Sequence, residues 1–254
     1  MIGVDAYLAS RNYAATSLKQ RRVILGQFVA AVGDSATCDA ETVLDWWAGL
    51  ADLAPASRRA HLIAVRGLLD WLVDAGVRTD NPCRLIATPR VPRTPPKVLD
   101  AAQVVALRRA VATPADHLLV ELQLTCGLRI SEVAALDADD LHRDDELLVV
   151  HGKGARTAMI PVPGWMVEAW PAAGSGPVFG VGGAALRSRV ARKFAAAGIV
   201  GHTPHSLRRT CGTELAKRAP LHVVAALLRH DSVSTTTGHY TAVTVDDLRR
   251  AIGS

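Results

Sequence analysis

Three short stretches of this sequence carry residues that could bind and attack an anion. In the first, TCGLRISEVAAL, Arg129 follows a glycine that would end one helix and precedes a new short helix. Glu132 lies three residues further on, close enough to hold the guanidinium. A guanidinium fixed in this way can bind two phosphate oxygens with parallel hydrogen bonds. The same pair could also be a structural ion pair at the surface.

The second stretch is TPHSLRRT. His205 and Arg208 are three residues apart, so they share one face of a helix, and Pro204 suits its first turn. A helix N-terminus with a histidine and an arginine can hold an anion. The alternative is an ordinary N-terminal histidine beside a solvated arginine.

The third stretch is LLRHDSVSTTTGHYTAVTVDDLRRAI, in which His230 precedes Tyr240 by ten residues. The other two tyrosines, Tyr7 and Tyr13, lie near the N-terminus. Any tyrosine chemistry in the C-terminal half must therefore use Tyr240. Taken alone, Tyr240 could also be an ordinary core or surface tyrosine.

The elements that must position these residues are mostly helices. Asp100 is predicted to cap one of them, and the predicted ranges are 101–111, 116–127, 183–198, 204–218, 221–229 and 233–250. Apolar runs over 147–151 and 157–162 flank Gly152-Lys153-Gly154, which predicts a β-hairpin with Lys153 at its tip. The tail after Tyr240 carries Leu248 and Ile252, and could pack on its own domain or on a neighbouring protomer.

The N-terminal part, residues 1–87, is predicted to be a helical bundle. Helix starts are predicted at Thr16 or Ser17, at Asp39 and at Ser57. Gly76 is expected to follow the end of the third helix.

A proline-rich segment divides the chain. Four prolines stand among residues 87–97, and they predict an extended linker over 88–98. A second domain is expected over 99–254. The predicted fold class is mainly α with a small β-hairpin or three-stranded sheet (α+β).

The amino-acid composition restricts the classes of protein to which this chain can belong. The 254 residues are 49% hydrophobic and carry a net charge of +5, so a sizeable core and an anionic partner are expected. No apolar run is long enough to span a membrane, and the N-terminus does not resemble a secretory signal. The four cysteines lie 43 or more residues apart, which favours reduced thiols in a cytosolic protein.

Together, these motifs point to one family. The series Arg129, Lys153, His205, Arg208, His230, Tyr240 resembles the catalytic signature of the tyrosine recombinase (phage integrase) family, and the strings around it match from about residue 97 to residue 252. One residue departs from the pattern: Arg229 precedes His230, where the family usually has glycine. This change alters a helix C-terminus but leaves the histidine in place.

The resemblance implies a phosphate clamp. Arg129 and Arg208 would bind the non-bridging oxygens of a DNA phosphodiester, and His230 would add a hydrogen bond. Glu132 would orient Arg129 or the helix next to it. Such electrostatic stabilisation suits a reaction that builds charge on those oxygens.

The resemblance also implies how the phosphodiester is cut. Tyr240 would attack phosphorus, His205 would accept the phenol proton, and Lys153 would protonate the leaving 5′ oxygen. The product would be a 3′-phosphotyrosine beside a free 5′-hydroxyl. Because this ester stores the bond energy, no ATP, metal or other cofactor is expected, and the sequence carries no Walker A loop or paired acidic cluster.

The expected partner is double-stranded DNA. A tetramer on two DNA sites, with a possible accessory recombination factor, is implied by the resemblance, and no membrane contact is expected. The protein is expected in the cytoplasm with the nucleoid, in a prokaryote or encoded by a phage. The candidate DNA-contacting side chains are all basic: Lys19, Arg21, Arg22, Arg58, Arg59, Arg90, Arg93, Lys97, Arg187, Arg189, Arg192 and Lys193.

Several roles remain open within this interpretation. Residues 1–87 would be the family's core-binding domain and residues 99–254 its catalytic domain. Because the bundle begins near Met1, we expect a minimal two-domain form. The main expectation for its role is that it integrates or excises a phage or mobile element. The alternatives are a dimer-resolving Xer-type recombinase, a type IB topoisomerase and a non-catalytic DNA-binding protein.

Overall fold

The computed structural model describes residues 3–92, 95–152, 157–229 and 243–253. The chain divides into two compact units, Met1–Thr94 and Pro95–Ser254. The described part holds twelve α-helices and one small antiparallel sheet, which confirms the predicted fold class. None of the helices in this part is long and apolar enough to cross a membrane.

The first unit is a small helical bundle. Its elements are α1 (Val4–Ala9), α2 (Ala15–Val32), α3 (Ala40–Ala48), α4 (Pro55–Asp74) and a 3-10 turn over Pro82–Leu85. Leu62, Val65, Leu69 and Leu72 are fully buried on α4. They recur every three or four residues, so they form one apolar face. Each such side chain contributes about 1.5–3 kcal/mol by leaving water.

Two predicted caps are confirmed. The Asp39 carboxylate accepts the Thr42 N–H at 2.8 Å and begins α3. Asp100 accepts the Gln103 N–H at 2.8 Å, and its own N–H donates to the Gln103 side chain at 3.0 Å. This reciprocal pair begins α5 (Ala101–Arg109).

Two predicted helix starts are wrong, one at Thr16 or Ser17 and one at Ser57. α2 begins at Ala15 and α4 at Pro55, and neither start has a side-chain cap. Pro55 has the helical φ built into its ring and needs no partner for an N–H. The proline therefore sets the start of α4, two residues before the serine.

The second unit continues from α5 with seven helices, a 3-10 turn over Ala138–Asp140 and three strands: α6 (Pro114–Leu124), α7 (Ile130–Ala134), β1 (Leu141–His142), β2 (Leu147–His151), β3 (Thr157–Pro161), α8 (Gly164–Ala169), α9 (Gly183–Ala196), α10 (Pro204–Leu215), α11 (Leu221–Leu227) and α12 (Val245–Ile252). The sheet order is β1-β2-β3. Leu148 pairs with Ile160 and His151 pairs with Thr157, so the predicted hairpin pairing is confirmed.

The core of the second unit is built around α6. Residues 118–124 of this helix are all buried. α6 begins at Pro114 rather than at Asp116, because Thr113 caps it by accepting the Asp116 N–H at 3.1 Å. After α6 the chain turns at Gly127, which has a φ of +63°. This turn places Arg129 as the residue before α7.

Two glycines let the end of α11 approach α6 and α10 closely. A Cβ on Gly127 would lie 2.4 Å from Leu228 Cδ2 and 3.3 Å from Cys211 Sγ. A Cβ on Gly212, in α10, would lie 2.8 Å from Leu228 Cδ1. The Leu228 side chain therefore fills a space that only glycine leaves open on both sides. The burial of Leu228 therefore fixes the position of the backbone two residues before His230.

The last helix, α12, packs on its own unit. Leu248, Ala251 and Ile252 are buried with the second core, against β3 and α11. The structure thus places these apolar residues in the same protomer. Residues 230–242, which include the predicted start of this helix, lie outside the described part.

The glycine contact predicts a specific loss of stability. Gly127→Ala should destabilise the second unit by about 2–4 kcal/mol, because the Cβ adds a clash with Leu228 to the cost of a positive φ. Gly198→Ala is the matched control: its φ is +68° and no atom lies within 4 Å of its Cβ position. The control should lose only about 1–2 kcal/mol. Equal losses in urea melts of the two variants would contradict the close approach of Leu228.

Candidate active site

A buried carboxylate organises the site. Glu132, in α7, has a side chain that is only 6% exposed. Its Oε2 accepts the Arg129 N–H at 2.7 Å, and its Oε1 accepts Arg129 Nη1 at 2.6 Å. The predicted neighbours Arg129 and Glu132 are therefore in direct contact. Holding both the backbone and the side chain of Arg129 fixes the direction of its guanidinium.

Three arginines from distant parts of the chain meet at this carboxylate. Arg129 precedes α7, Arg208 lies in α10 and Arg229 follows α11. Their closest atoms lie 2.6, 3.7 and 2.9 Å from a Glu132 oxygen. We refer to Arg129, Arg208, Arg229 and Glu132 as the arginine cluster. Three guanidinium groups against one carboxylate leave an excess positive charge, which favours an anionic ligand.

The cluster has an open side and a buried side. The Arg129 side chain is 39% exposed, whereas Arg208 is 3% and Arg229 is 10% exposed. Arg208 Nη1 donates to the carbonyl of Gly127 at 2.5 Å, and its Nη2 donates to the carbonyl of Leu228. Arg208 thus ties the turn after α6 to the end of α11, while Arg129 faces solvent.

The charges in the cluster change each other's pKa values. Burial raises the pKa of Glu132, but the charge of Arg229 and hydrogen bonds from Arg129 and Arg229 outweigh it, so the pKa falls below its usual value. Burial and the charges of Arg129 and Arg229 lower the pKa of Arg208 to about 10. At neutral pH, the carboxylate is ionised and Arg208 keeps its charge.

His205 stands beside the cluster on the first turn of α10, with Pro204 at the first position as predicted. Its pKa is lowered by partial burial and then by the charges of Arg209, Arg208 and Arg129. The imidazole is therefore mainly neutral at pH 7. A neutral imidazole can accept a proton, which a charged one cannot.

Three predicted site residues, Lys153, His230 and Tyr240, lie outside the described residues. Their assignment stays a prediction. Lys153 belongs to the connection between β2 and β3, and His230 follows Arg229 in the chain.

Sequence reasoning missed the part that Arg229 plays in this cluster. It noted the residue only as a replacement for glycine at a helix end. In the structure Arg229 has a φ of +53° and its Nη2 donates to Glu132 Oε2 at 2.9 Å. The available signal was an arginine at a position where a left-handed backbone favours glycine.

The basic candidates of the first unit differ in their surroundings. Lys19, Arg22 and Arg59 are exposed. Arg21 and Arg58 stack on aromatic rings, at 4.4 Å from the Tyr13 centroid and 4.3 Å from the Trp47 centroid. Arg22 also pairs with the exposed Asp5 at 3.2 Å. Such stacking holds a guanidinium in place but leaves its edges free to donate.

The basic candidates in the linker and in α9 also differ in their exposure and in their partners. Arg93 lies outside the described residues, Arg90 is exposed, and Lys97 donates to the Gly201 carbonyl at 3.0 Å. In α9, Arg187 and Arg192 are exposed.

The other two basic residues of α9 have a buried partner. Arg189 Nε forms an ion pair with the buried Asp116 of α6, and Lys193 Nζ lies 2.7 Å from its second oxygen. Two of the four basic candidates on α9 are thus paired with a carboxylate, and the other two are exposed. DNA contact by any of these residues stays a prediction.

The described residues contain no group of three or more histidine, cysteine, aspartate or glutamate side chains that could hold a metal ion. All four cysteines are free and buried. Burial raises the pKa of Cys211 to about 12, so this thiol, although it lies near the cluster, stays protonated.

Solved structures of similar fold support the architecture. An integrase of phage lambda, crystallised as a dimer bound to a COC′ core site, matches with a TM-score of 0.75 and 15% identity over 94% of this chain and 99% of that chain. The integrase from mycobacterium phage Brujita matches with a TM-score of 0.51 and 22% identity, over 98% and 88%.

Sequence comparisons give the family. The family model described as "Phage integrase family" matches residues 184–246. Tyrosine recombinase XerC of Mycobacterium bovis is 31% identical over 96% of this chain and 94% of its own length. Tyrosine recombinase XerC of Myxococcus xanthus is 30% identical over 80% and 77%. These relatives confirm the resemblance found in the motifs, and the chain belongs to the tyrosine recombinase (phage integrase) family.

Proposed function

We propose that this enzyme is a site-specific DNA recombinase that cuts and rejoins DNA through a 3′-phosphotyrosine. The observation that carries the proposal is the arginine cluster, with the half-exposed Arg129 held by the buried Glu132. Family membership supplies the reaction class, and the cluster supplies a place for the phosphodiester.

The cluster suits a phosphodiester that gains charge during attack. Arg129 would bind the non-bridging oxygens from the open side of the cluster, and Arg208 would stabilise their charge from the buried side. Because both guanidinium groups are already held, they need little reorganisation when the charge develops. His230 would add a hydrogen bond to the same phosphate. Removing one such donor from a preorganised site costs about 10²- to 10³-fold in rate.

The covalent step conserves the phosphodiester energy. The Tyr240 oxygen attacks phosphorus, its proton passes to neutral His205, and the bond to the 5′ oxygen breaks. Lys153 gives that oxygen its proton. The reverse reaction, with the 5′-hydroxyl of another strand as nucleophile, rejoins the DNA without ATP.

DNA binding would use both units. Exposed basic side chains in the first unit, the linker and α9 would contact phosphates: Lys19, Arg22, Arg59, Arg90, Arg187 and Arg192. Such contacts make affinity fall steeply with salt. Arg189 and Lys193 would contribute less, because Asp116 already neutralises part of their charge. Assembly as a tetramer on two sites, an accessory factor and a location at the nucleoid belong to the same proposal.

Two biological roles fit this chemistry. One is integration or excision of a phage or mobile element. The other is resolution of chromosome or plasmid dimers, which the similarity to XerC over nearly the whole chain favours. Dimer resolution predicts recombination between two direct copies of the binding site on one plasmid. Integration or excision predicts recombination between two unlike sites.

The nucleophile can be tested directly. The protein is allowed to select a duplex from a randomised library, and the selected site is synthesised with a nick that lets the cleaved fragment diffuse away. In chelator and without nucleotide, the wild type should form a covalent protein–DNA band. Tyr240→Phe should bind the duplex with a similar Kd and form no band, because it lacks the attacking oxygen. A band of equal strength from Tyr240→Phe would contradict the mechanism.

The general base predicts a pH dependence. Because the pKa of His205 is lowered, its neutral form persists to more acidic pH than for an ordinary histidine. The cleavage rate at limiting DNA, which reports the titration of the DNA-free enzyme, should be flat near neutral pH and should fall only below about pH 6.5. His205→Asn should be slower and should lose this acidic limb. A wild-type midpoint above pH 6.5, or an unchanged limb in His205→Asn, would argue against His205 as the base.

A further inference from the structure

Arg229 stands in a backbone conformation that a side chain normally avoids. It is one of two non-glycine residues with a positive φ in the described part of the chain, the other being Glu146. It lies two residues after the last residue of α11, where the left-handed conformation usually selects glycine. A residue with a Cβ at this place needs compensating interactions.

The compensation comes from the guanidinium of Arg229, which folds back onto three elements. Nη1 donates to the Leu227 carbonyl at 2.6 Å, at the end of α11. Nη2 donates to the Gly127 carbonyl at 3.2 Å, in the turn after α6, and to Glu132 Oε2 at 2.9 Å, in α7. One planar group therefore bridges the three segments that surround the cluster.

The contact is reciprocal. The backbone carbonyl of Arg229 accepts Arg129 Nη2 at 3.3 Å, while Glu132 accepts Arg129 Nη1 at 2.6 Å. Arg129 Nη2 is thus bound by the backbone of Arg229, and Arg129 Nη1 is bound by Glu132, which the Arg229 side chain holds. Because the Arg229 side chain is only 10% exposed, it acts behind Glu132 rather than on the open side of the cluster.

We propose that Arg229 is a positioning residue that fixes the guanidinium of Arg129 through Glu132. The inference rests on the proposed function, because it assigns Arg229 to the same site. With glycine at this position, Glu132 Oε2 would keep the Arg129 N–H but would lose its closest guanidinium, since Arg208 lies 3.7 Å away. Glu132 would then be held mainly through its own bonds to Arg129, so the two side chains would be less firmly fixed.

Three variants separate the guanidinium from the backbone. Arg229→Gly removes the guanidinium and relieves the positive φ, Arg229→Ala removes the guanidinium and keeps the strain, and Arg229→Lys keeps the charge without the fork. Covalent-complex formation at saturating DNA should slow about 10- to 100-fold in the glycine and alanine variants and less in the lysine variant. The Kd for DNA should change less than about threefold. If the glycine variant matches the wild type and only alanine is slow, backbone conformation alone matters and the proposal is wrong.

A double-mutant cycle tests the route through Glu132. In a Glu132→Gln background, Arg229→Gly should slow cleavage by less than about threefold, because its partner is already changed. A full 10- to 100-fold loss in that background would show that Arg229 acts independently of Glu132. Thermal melts of each variant identify any that fails to fold.

A measurement without DNA separates this inference from the proposed function. In the wild type, the NMR signals of the Arg129 guanidinium should show restricted rotation. In Arg229→Gly, faster rotation of the guanidinium should average these NMR signals, whether or not the protein cuts DNA. Unchanged, restricted signals in the folded glycine variant would overturn the positioning role. A missing covalent band from the wild type would count only against the proposed function.

Discussion

The site depends on one buried carboxylate that holds arginines of like charge together. Three guanidinium groups could not share so small a volume without Glu132, because desolvation and mutual repulsion oppose each of them. The carboxylate sits on the short helix α7, which begins where Gly127 turns the chain away from α6. Backbone carbonyls of Gly127 and Leu228 accept hydrogen bonds from Nη1 and Nη2 of Arg208. The positions of α6, α10 and α11 are therefore linked to the direction of Arg129.

In the proposed function the same positive field would serve two purposes. It would attract a phosphodiester to the open side at Arg129, and, together with burial, the charges of Arg209, Arg208 and Arg129 lower the pKa of His205 and favour its neutral form. A phosphate bound at the cluster would weaken this field. The histidine could then hold a proton more readily just when the nucleophile must lose one. In this proposal, DNA binding and proton transfer would be coupled by electrostatics.

The sequence predicted what short-range physics decides. Asp100 and Asp39 cap their helices through residues three positions away, and β2 pairs with β3 across a short connection. Pro204 begins α10, so His205 and Arg208 lie on the same helix at the expected spacing. The family followed from the order of these motifs, because no single motif would have been specific.

What the sequence could not predict depends on contacts between distant residues. Nothing near Arg189 indicates that Asp116, far earlier in the chain, binds it. The sequence indicated only that Arg229 alters a helix C-terminus, because its contact with Glu132 joins residues nearly one hundred positions apart. The starts of α2 and α4 were misplaced because a local cap signal is weak beside proline geometry and core packing.

The most direct test of the phosphate clamp changes the charge of the substrate. Cleavage by the wild type and by Arg129→Ala is measured on the selected duplex with either a phosphate or a methylphosphonate at the cut position. If Arg129 neutralises a non-bridging oxygen, its loss should cost about 10²- to 10³-fold on the phosphate and less than about tenfold on the uncharged methylphosphonate. An equal loss on both substrates would contradict the account, because Arg129 would then not act on that charge.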